Sequence, residues 1–268
     1  TKVLGGVVDE LGQVHKTARR DTPKEGGAAL TAAIAEVANE LKAQFPVESV
    51  GVSAAGWVSS DRKTMLATPN ISGWNGVNLD YEFTQLIGLP VVIENDANSA
   101  AWGEARFGAA KGKQHVLLLT IGTGLGGGIV IDGKLHRGAF GIAAEVGHMR
   151  VVPDGLLCGC GAKGCFEQYG SGSALMRHTR EAIEANPDMA EKLLARGDGT
   201  FSGLTGTMIM EAARAGDVIA IEAFRTTGKW IGAVVASLSA ILDPEVVVIG
   251  GGVIDAGELL LSPIREAA

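Results

Sequence analysis

Apolar residues in the first third of the chain recur either at helical spacing or in short unbroken runs. The helical spacing is that of Leu30, Ile34, Val37, Leu41 and Phe45. Short apolar runs at residues 49–54 and 90–93 instead predict buried strands. Helices that alternate with buried strands are typical of an α/β protein with a mainly parallel inner sheet, and we expect that fold class here.

The order of predicted elements occurs twice along the chain. Residues 3–15 predict a strand, an acidic turn and a returning strand, and residues 129–136 repeat that order. In the second copy, a strand at 115–121 and a glycine-rich turn come first. We therefore expect an internal duplication with an N-terminal lobe of residues 1–114 and a C-terminal lobe of residues 115–268.

The second copy also contains a long predicted helix. Asp217 is expected to cap it, and Asp243 followed by Pro244 is expected to end it after Leu242, ahead of a strand at 246–249. The first copy has no counterpart of the strand that opens the second, and the second ends where one more helix ordinarily follows. We expect the full unit to extend beyond the printed chain at both ends.

Composition and charge narrow the class of protein. The chain is 46% hydrophobic with a net charge of −7, and no window approaches the roughly 18 unbroken apolar residues of a membrane span. Its acidic and basic residues are intermixed, which disfavours binding to nucleic acid or anionic lipid. Three cysteines within eight residues favour a metal site in a reducing compartment over a disulfide framework. We expect a cytoplasmic enzyme without nucleic-acid or membrane partners.

Two glycine clusters follow predicted strands. Gly122, Thr123 and Gly124 lie in a hairpin between strands, whereas a Rossmann or Walker loop opens a helix. Backbone amides in such a hairpin can hold phosphate oxygens, and a hairpin without a ligand is the alternative. The second cluster consists of Gly250, Gly251 and Gly252. It ends a strand where parallel sheets bind ligands, so it predicts either a nucleotide contact or a plain turn into a helix.

Polar side chains follow the predicted strand at 90–93. Asn95 and Asp96 stand at its end, directly ahead of a predicted helix. A carboxylate there either caps the helix or accepts the proton of an alcohol during phosphoryl transfer, with Asn95 as a hydrogen-bond partner for a polyol. Asn70 and Trp74 lie in a turn-rich loop that either contacts a sugar or surrounds a buried tryptophan.

The strongest chemical signal is a set of metal ligands in the segment 148–165. The set comprises His148, Cys158, Cys160 and Cys165. Three thiols and one imidazole complete a tetrahedral zinc site, and no open position remains for a substrate, so the zinc would be structural. Three free thiols beside an unrelated histidine are the alternative. A closed zinc site would also hold Glu145 and Glu167 near one another.

Together these motifs resemble the ROK family, named for repressors, open reading frames and kinases. The run from Glu145 to His148, continued by 158–168, is similar to the family's signature and zinc segment, and Thr1-Lys2 is similar to the end of its phosphate loop. The resemblance covers essentially the whole chain, and its form is most like the ROK glucokinases of actinobacteria. It implies an actin-like, ribonuclease H-like duplicated α/β fold, with two lobes and a ligand cleft between them.

The resemblance also implies an activity and a site. It implies ATP-dependent phosphorylation of glucose at the 6-hydroxyl, with Mg²⁺ accompanying ATP, Asp96 as the catalytic base, and a homodimer or homotetramer. One nitrogen of His148 would bind zinc while the other faces the sugar. The sugar-binding residues it implies are Asn70, Asn95, Asp96, Glu145, His148 and Glu167. The nucleotide contacts it implies are Thr1, Lys2, Gly122, Thr123, Gly124, Gly250, Gly251 and Gly252.

Three alternatives stay open at this point. The substrate of a ROK kinase can instead be mannose, N-acetylmannosamine or N-acetylglucosamine, and the phosphoryl donor can be polyphosphate. The third alternative is the sugar-sensing body of a ROK transcription repressor. The absence of a basic recognition helix from the printed residues and the presence of Asp96 favour the enzyme.

Overall fold

The computed structural model describes residues 2–68 and 71–268, which divide into two compact units. Unit 1 consists of residues 2–114 together with Gly128–Ala144, and unit 2 consists of His115–Gly127 together with Glu145–Ala268. The predicted lobe boundary at residue 115 is also a boundary of these units, but residues 128–144 pack with unit 1. A Cβ at Gly128 would lie 2.4 Å from the Ala101 side chain, which shows how closely this segment approaches that unit.

The helices and strands follow the predicted α/β order. Up to residue 106 they are β1 (Lys2–Val8), β2 (Val14–Asp21), α1 (Gly27–Lys42), β3 (Val50–Ala54), β4 (Trp57–Val58), β5 (Thr64–Ala67), β6 (Val77–Asn78), α2 (Leu79–Ile87), β7 (Val91–Asn95) and α3 (Asp96–Arg106). The remaining elements are β8 (Val116–Ile121), β9 (Leu125–Ile131), β10 (Lys134–Leu135), α4 (Glu167–Gly170), α5 (Gly172–Ala185), α6 (Glu191–Leu194), α7 (Gly206–Arg214), α8 (Val218–Leu242), β11 (Val246–Gly250) and α9 (Glu258–Ala267).

In unit 1, the parallel pair β3 and β7 forms the inner sheet. Val50 is in register with Val91 and Ala54 with Asn95, so both strands end at the same level. The predicted hairpin of β1 and β2 is antiparallel. Trp74 lies in the core beside this sheet, where its indole nitrogen donates to the Gly27 carbonyl and the Thr31 hydroxyl, each at 3.0 Å. Trp74 is therefore buried, as one of the two interpretations of its loop predicts.

In unit 2, β8 pairs in parallel with β11, and the long helix α8 packs against α5 and α9. Asp217 caps α8 as predicted, since its carboxylate accepts the Ala220 N–H at 3.0 Å. The helix ends as predicted at Asp243, which adopts the left-handed conformation ahead of Pro244. Among the described residues, no helix is long and apolar enough to cross a bilayer.

Candidate functional site

The turn from β7 into α3 carries the predicted carboxylate. The Asn95 side-chain oxygen accepts the Asn98 N–H at 3.0 Å, and its amide nitrogen donates to the Gly56 carbonyl at 3.0 Å. Asn95 is therefore the cap of α3, and the interpretation of Asp96 as that cap is wrong. Asp96 is the exposed first residue of the helix, and its Oδ1 accepts the Ala97 N–H at 3.0 Å. The turn thus exposes the Asp96 carboxylate to solvent, while the Asn95 side chain holds the backbone of the turn through its hydrogen bonds to Gly56 and Asn98.

The predicted metal ligands converge in unit 2. One ligand atom from each of His148, Cys158, Cys160 and Cys165 lies within 4.8 Å of the others. The Cys160 and Cys165 sulfurs are 3.6 Å apart, and Nδ1 of His148 is 3.7 Å from the Cys158 sulfur. Tetrahedral zinc with sulfur ligands near 2.3 Å places neighbouring ligand atoms roughly 3.5–3.8 Å apart. The four side chains therefore fit a metal ion, with Nδ1 as the histidine ligand atom.

Backbone turns at glycines bring these thiols together. The Cys158 N–H donates to the Ala162 carbonyl at 2.8 Å, and the Gly161 N–H returns to the Cys158 carbonyl at 2.9 Å. Gly161 and Gly164 have φ values of 88° and 78°, a backbone conformation that residues other than glycine rarely adopt. A Cβ at Gly164 would also lie 1.6 Å from the Val152 carbonyl oxygen. Gly161 and Gly164 are therefore required by the loop itself.

Burial shapes the protonation of the cluster. It raises the pKa of the Cys165 thiol to about 12, and the neighbouring thiols act in the same direction. A hydrogen bond from the Ala162 backbone instead lowers the pKa of Cys160. Without a cation, the buried thiol retains its proton at neutral pH. A bound metal ion would displace that proton, because the thiolate is the ligand.

Glu167 connects the metal cluster to the glycine-rich hairpin between β8 and β9. Its Oε2 accepts the Leu125 N–H at 3.0 Å, and its Oε1 lies 3.9 Å from the Cys158 sulfur. A Cβ at Gly124 would lie 2.5 Å from Glu167 Oε2, and one at Gly147 would lie 2.1 Å from the Leu125 carbonyl oxygen. Both glycines thus allow the hairpin and the metal-binding segment to pack together. Glu145 directly precedes the short 3-10 helix Val146–His148 in that segment.

A pocket of about 440 Å³ lies in unit 2 beside this hairpin. It is lined by Gly122, Thr123, Gly172, Ser173, Leu175, Met176, Gly206, Thr207, Met210, Phe224, Gly252, Val253 and Asp255. Its volume is within the usual range for small-molecule sites, which is about 300–1,000 Å³. Gly122, Thr123 and Gly252 are predicted nucleotide contacts. Methionine, leucine, phenylalanine and valine side chains provide an apolar wall suited to a flat base.

Two helices begin at this pocket. Ser171 caps α5 by accepting the Ala174 N–H at 3.1 Å, and Thr205 caps α7 by accepting the Met208 N–H at 3.3 Å. The hairpin is fixed to the first of these helices, because the Gly172 N–H donates to the Gly122 carbonyl at 2.8 Å. Helix N-termini favour anions through their unpaired N–H groups and the helix dipole. The pocket therefore combines an apolar wall with two positive helix ends.

The glycines at the end of β11 differ in role. Gly251 has a φ of 93°, and a Cβ there would lie 2.4 Å from the Ile121 carbonyl oxygen. At Gly250 and Gly252 an added Cβ would meet no atom within 4 Å, and Gly252 lines the pocket. Gly251 is thus required by backbone packing, whereas Gly252 leaves open space next to the pocket.

The sequence interpretation missed part of the pocket lining. Ser173, Thr207 and Asp255 add polar groups, and Met176 and Met210 add apolar ones. A signal was present at the two helix starts, where residues 171–173 read Ser-Gly-Ser and residues 205–207 read Thr-Gly-Thr. Of the predicted nucleotide contacts outside the pocket, Lys2 is the exposed first residue of β1. Thr1 and Asn70 lie outside the described residues.

A model of the ROK family matches residues 1–268. This chain belongs to the ROK family. It is 48% identical over 267 residues to the glucokinase of Streptomyces coelicolor, covering 100% of this chain and 84% of that one. It also matches the crystal structure of a ROK family glucokinase from Streptomyces griseus in complex with glucose and AMPPNP. The TM-score is 0.87 at 50% identity, covering 100% of this chain and 85% of that one.

The ROK family also includes regulators. The xylose repressor of Caldicellulosiruptor bescii is 34% identical over 217 residues, covering 81% of this chain and 53% of that one. The two glucokinases are thus more similar to this chain than that repressor is, and they match over its whole length. The match to the ROK glucokinase structure confirms the predicted actin-like α/β fold.

Proposed function

We propose that this ROK protein transfers the γ-phosphoryl group of ATP to the 6-hydroxyl of glucose. The observation that carries the proposal is the match, over 100% of this chain, to a solved ROK glucokinase that holds glucose and AMPPNP. The products are glucose 6-phosphate, ADP and one proton. Its occurrence in the cytoplasm is part of the proposal, because three clustered thiols persist in a reducing compartment. A homodimer or homotetramer is proposed for the assembly.

The pocket of unit 2 supports the nucleotide part of the proposal. Its apolar wall suits the adenine base, and the N-termini of α5 and α7 suit the phosphates. The proposed contacts are Thr1, Lys2, Gly122, Thr123, Gly124, Gly250, Gly251 and Gly252, to which we add Ser173 and Thr207. For Gly251 we propose an indirect role through the backbone at Ile121. Mg²⁺ bound with ATP would offset the charge of the phosphates.

Asp96 is the proposed general base. Phosphoryl transfer needs little covalent help from the protein beyond a carboxylate that accepts the hydroxyl proton as the oxygen attacks. The position of Asp96 supports this role, since it is exposed at the first residue of α3 and its neighbour Asn95 holds the turn. The proton passes from the 6-hydroxyl to the carboxylate, and the γ-phosphorus exchanges its bond to ADP for one to the sugar oxygen.

The metal centre is proposed to hold one structural zinc ion through His148, Cys158, Cys160 and Cys165. Zinc would supply a fixed cross-link, since all four coordination positions are taken by protein. With Nδ1 of His148 toward the sulfurs, the other ring nitrogen is proposed to bind a sugar hydroxyl. The other proposed sugar contacts are Asn70, Asn95, Asp96, Glu145 and Glu167. For Glu167, its hydrogen bond to Leu125 supports an additional positioning role.

A coupled assay across sugars and phosphoryl donors tests the function. We expect turnover with glucose, ATP and Mg²⁺ to exceed that with mannose, N-acetylmannosamine or N-acetylglucosamine, and polyphosphate to be a poor donor. If another hexose is turned over faster, that hexose replaces glucose as the proposed substrate, and the proposed kinase activity stands. Glucose binding without turnover of any sugar would contradict the kinase and favour the repressor class.

Alanine substitutions at two adjacent glycines should distinguish a role in backbone packing from a role in ligand contact. Gly251→Ala should lower the free energy of unfolding by about 1–3 kcal/mol, because its Cβ would overlap the backbone at Ile121. Gly252→Ala should leave the melting temperature unchanged and raise KM for ATP, because its Cβ enters only the pocket. Thermal unfolding without nucleotide and steady-state kinetics check both. An unchanged KM for ATP in Gly252→Ala would remove that residue from the contacts.

A further inference from the structure

Glu94, the penultimate residue of β7, has a carboxylate whose two oxygens both have partners. Its Oε2 accepts a hydrogen bond from Nε of Arg137 at 2.7 Å and lies 2.7 Å from a terminal nitrogen of the same guanidinium. Its Oε1 accepts the Asn95 N–H at 3.1 Å and the Asn98 side-chain amide at 3.4 Å. The side chains of Glu94 and Arg137 are only 15% and 27% exposed. Such a shielded ion pair depends on its partners, because either charge alone would be costly to bury.

Arg137 reaches Glu94 from a loop 43 residues away in sequence. That loop is closed by the Ala143 N–H, which donates to the Arg137 carbonyl at 3.2 Å. It is also packed closely, since Gly141 is buried and a Cβ there would lie 2.0 Å from the Val58 carbonyl oxygen. The guanidinium is therefore presented by a packed part of unit 1.

The carboxylate of Glu94 holds the residues on both sides of Asp96. On one side it accepts the Asn95 N–H, and on the other the Asn98 side-chain amide. Asn98 is 2% exposed, and its Oδ1 has no hydrogen-bond partner among the described residues. The side-chain hydrogen bond to Glu94 is therefore one of the few that orient Asn98. Asp96 itself takes no part in this network and stays exposed.

We propose that Glu94 and Arg137 are positioning residues for Asp96. This inference rests on the proposed role of Asp96 as the base. Glu94 fixes the start of α3, and Arg137 both orients Glu94 and offsets its negative charge. Misplacing a reacting group by about 1 Å costs on the order of 100-fold in rate. The pair should therefore act on turnover more than on substrate binding.

Glu94→Gln is the sharpest test. A glutamine amide nitrogen would face either the Arg137 guanidinium or the two asparagine donors, so in either orientation the hydrogen bonding on that side is lost. We expect kcat to fall by ~10- to 100-fold, with KM for glucose and ATP changed less than about threefold. Arg137→Lys should retain more turnover than Arg137→Met, because it keeps the charge but not the two-nitrogen contact.

Glu40→Gln is the matched control. Glu40 on α1 pairs with Arg20 of β2 in an exposed ion pair of the same unit. We expect the kcat and melting temperature of Glu40→Gln to remain at the wild-type values.

In an Asp96→Asn background, Glu94→Gln should lower turnover little further, because the effect of Glu94 is transmitted through the proposed base, which is already lost.

A failed positioning role and a failed function give different results. Wild-type kcat in a folded Glu94→Gln protein, or equal losses with and without Asp96, would overturn the positioning role alone. If the wild-type chain phosphorylates no sugar, the proposed function fails, and hydrogen–deuterium exchange then decides whether the pair orders the turn. Exchange at residues 91–101 should be faster in Glu94→Gln than in wild type and unchanged in Glu40→Gln. Identical exchange in wild type, Glu94→Gln and Glu40→Gln would overturn the inference. If Glu94→Gln does not fold, Arg137→Lys takes its place in these experiments.

Discussion

Asp96→Asn should lower kcat for glucose phosphorylation by about 10²- to 10⁴-fold, the usual contribution of a positioned general base. Asparagine has nearly the shape of aspartate and can still accept the Ala97 N–H, so the start of α3 should be preserved. It has no carboxylate to take the proton of the 6-hydroxyl. We therefore expect glucose affinity, measured by calorimetry, to stay within a few-fold of the wild-type value while turnover collapses.

Asp80→Asn is a suitable control for that change. Asp80 lies in the first turn of α2, so the substitution removes a carboxylate from a comparable position in another helix of unit 1. Its kcat should match that of wild type. If Asp96→Asn keeps full turnover, Asp96 is not the base. If it loses both turnover and glucose affinity with an intact melting temperature, Asp96 acts mainly in binding.

Cys160→Ser should abolish stoichiometric metal binding. Elemental analysis of the purified wild-type chain is expected to give one zinc per chain, and that of the variant close to none. Structural zinc sites contribute roughly 10–16 kcal/mol of apparent binding free energy, so the variant should also melt at a much lower temperature or become insoluble. Wild-type protein without metal, or a variant with full zinc content, would contradict the proposed site.

Gly159→Ala provides the control within the same loop. Gly159 lies between two of the cysteines, and a Cβ there would meet no atom within 4 Å. It should keep its zinc and its melting temperature. In soluble Cys160→Ser or chelated protein, KM for ATP should rise along with KM for glucose, because Glu167 connects the cluster to the hairpin beside the pocket.

The sequence predicted the local structure well because local structure depends on neighbouring residues. Apolar spacing located α1, β3 and β7, and Asp217 and Asp243 located the ends of α8. The candidate metal ligands could be located because their spacing is itself a chemical signature, and the cysteines lie within one short segment. Asp96 was found because it directly follows a buried strand.

Tertiary packing decided the features that join distant residues. No spacing rule connects Glu94 to Arg137, since the contact depends on how the loop after β10 packs within unit 1. The sequence does not distinguish Gly251 from Gly252. In the structure the Ile121 backbone approaches Gly251, which is therefore required for packing, whereas Gly252 has open space and lines the pocket. The sequence by itself thus determined the order of elements, the candidate metal ligands and the candidate base. The ion pair beside the proposed base and the walls of the pocket were decided by the tertiary structure, because long-range contacts arise only when separate elements pack together.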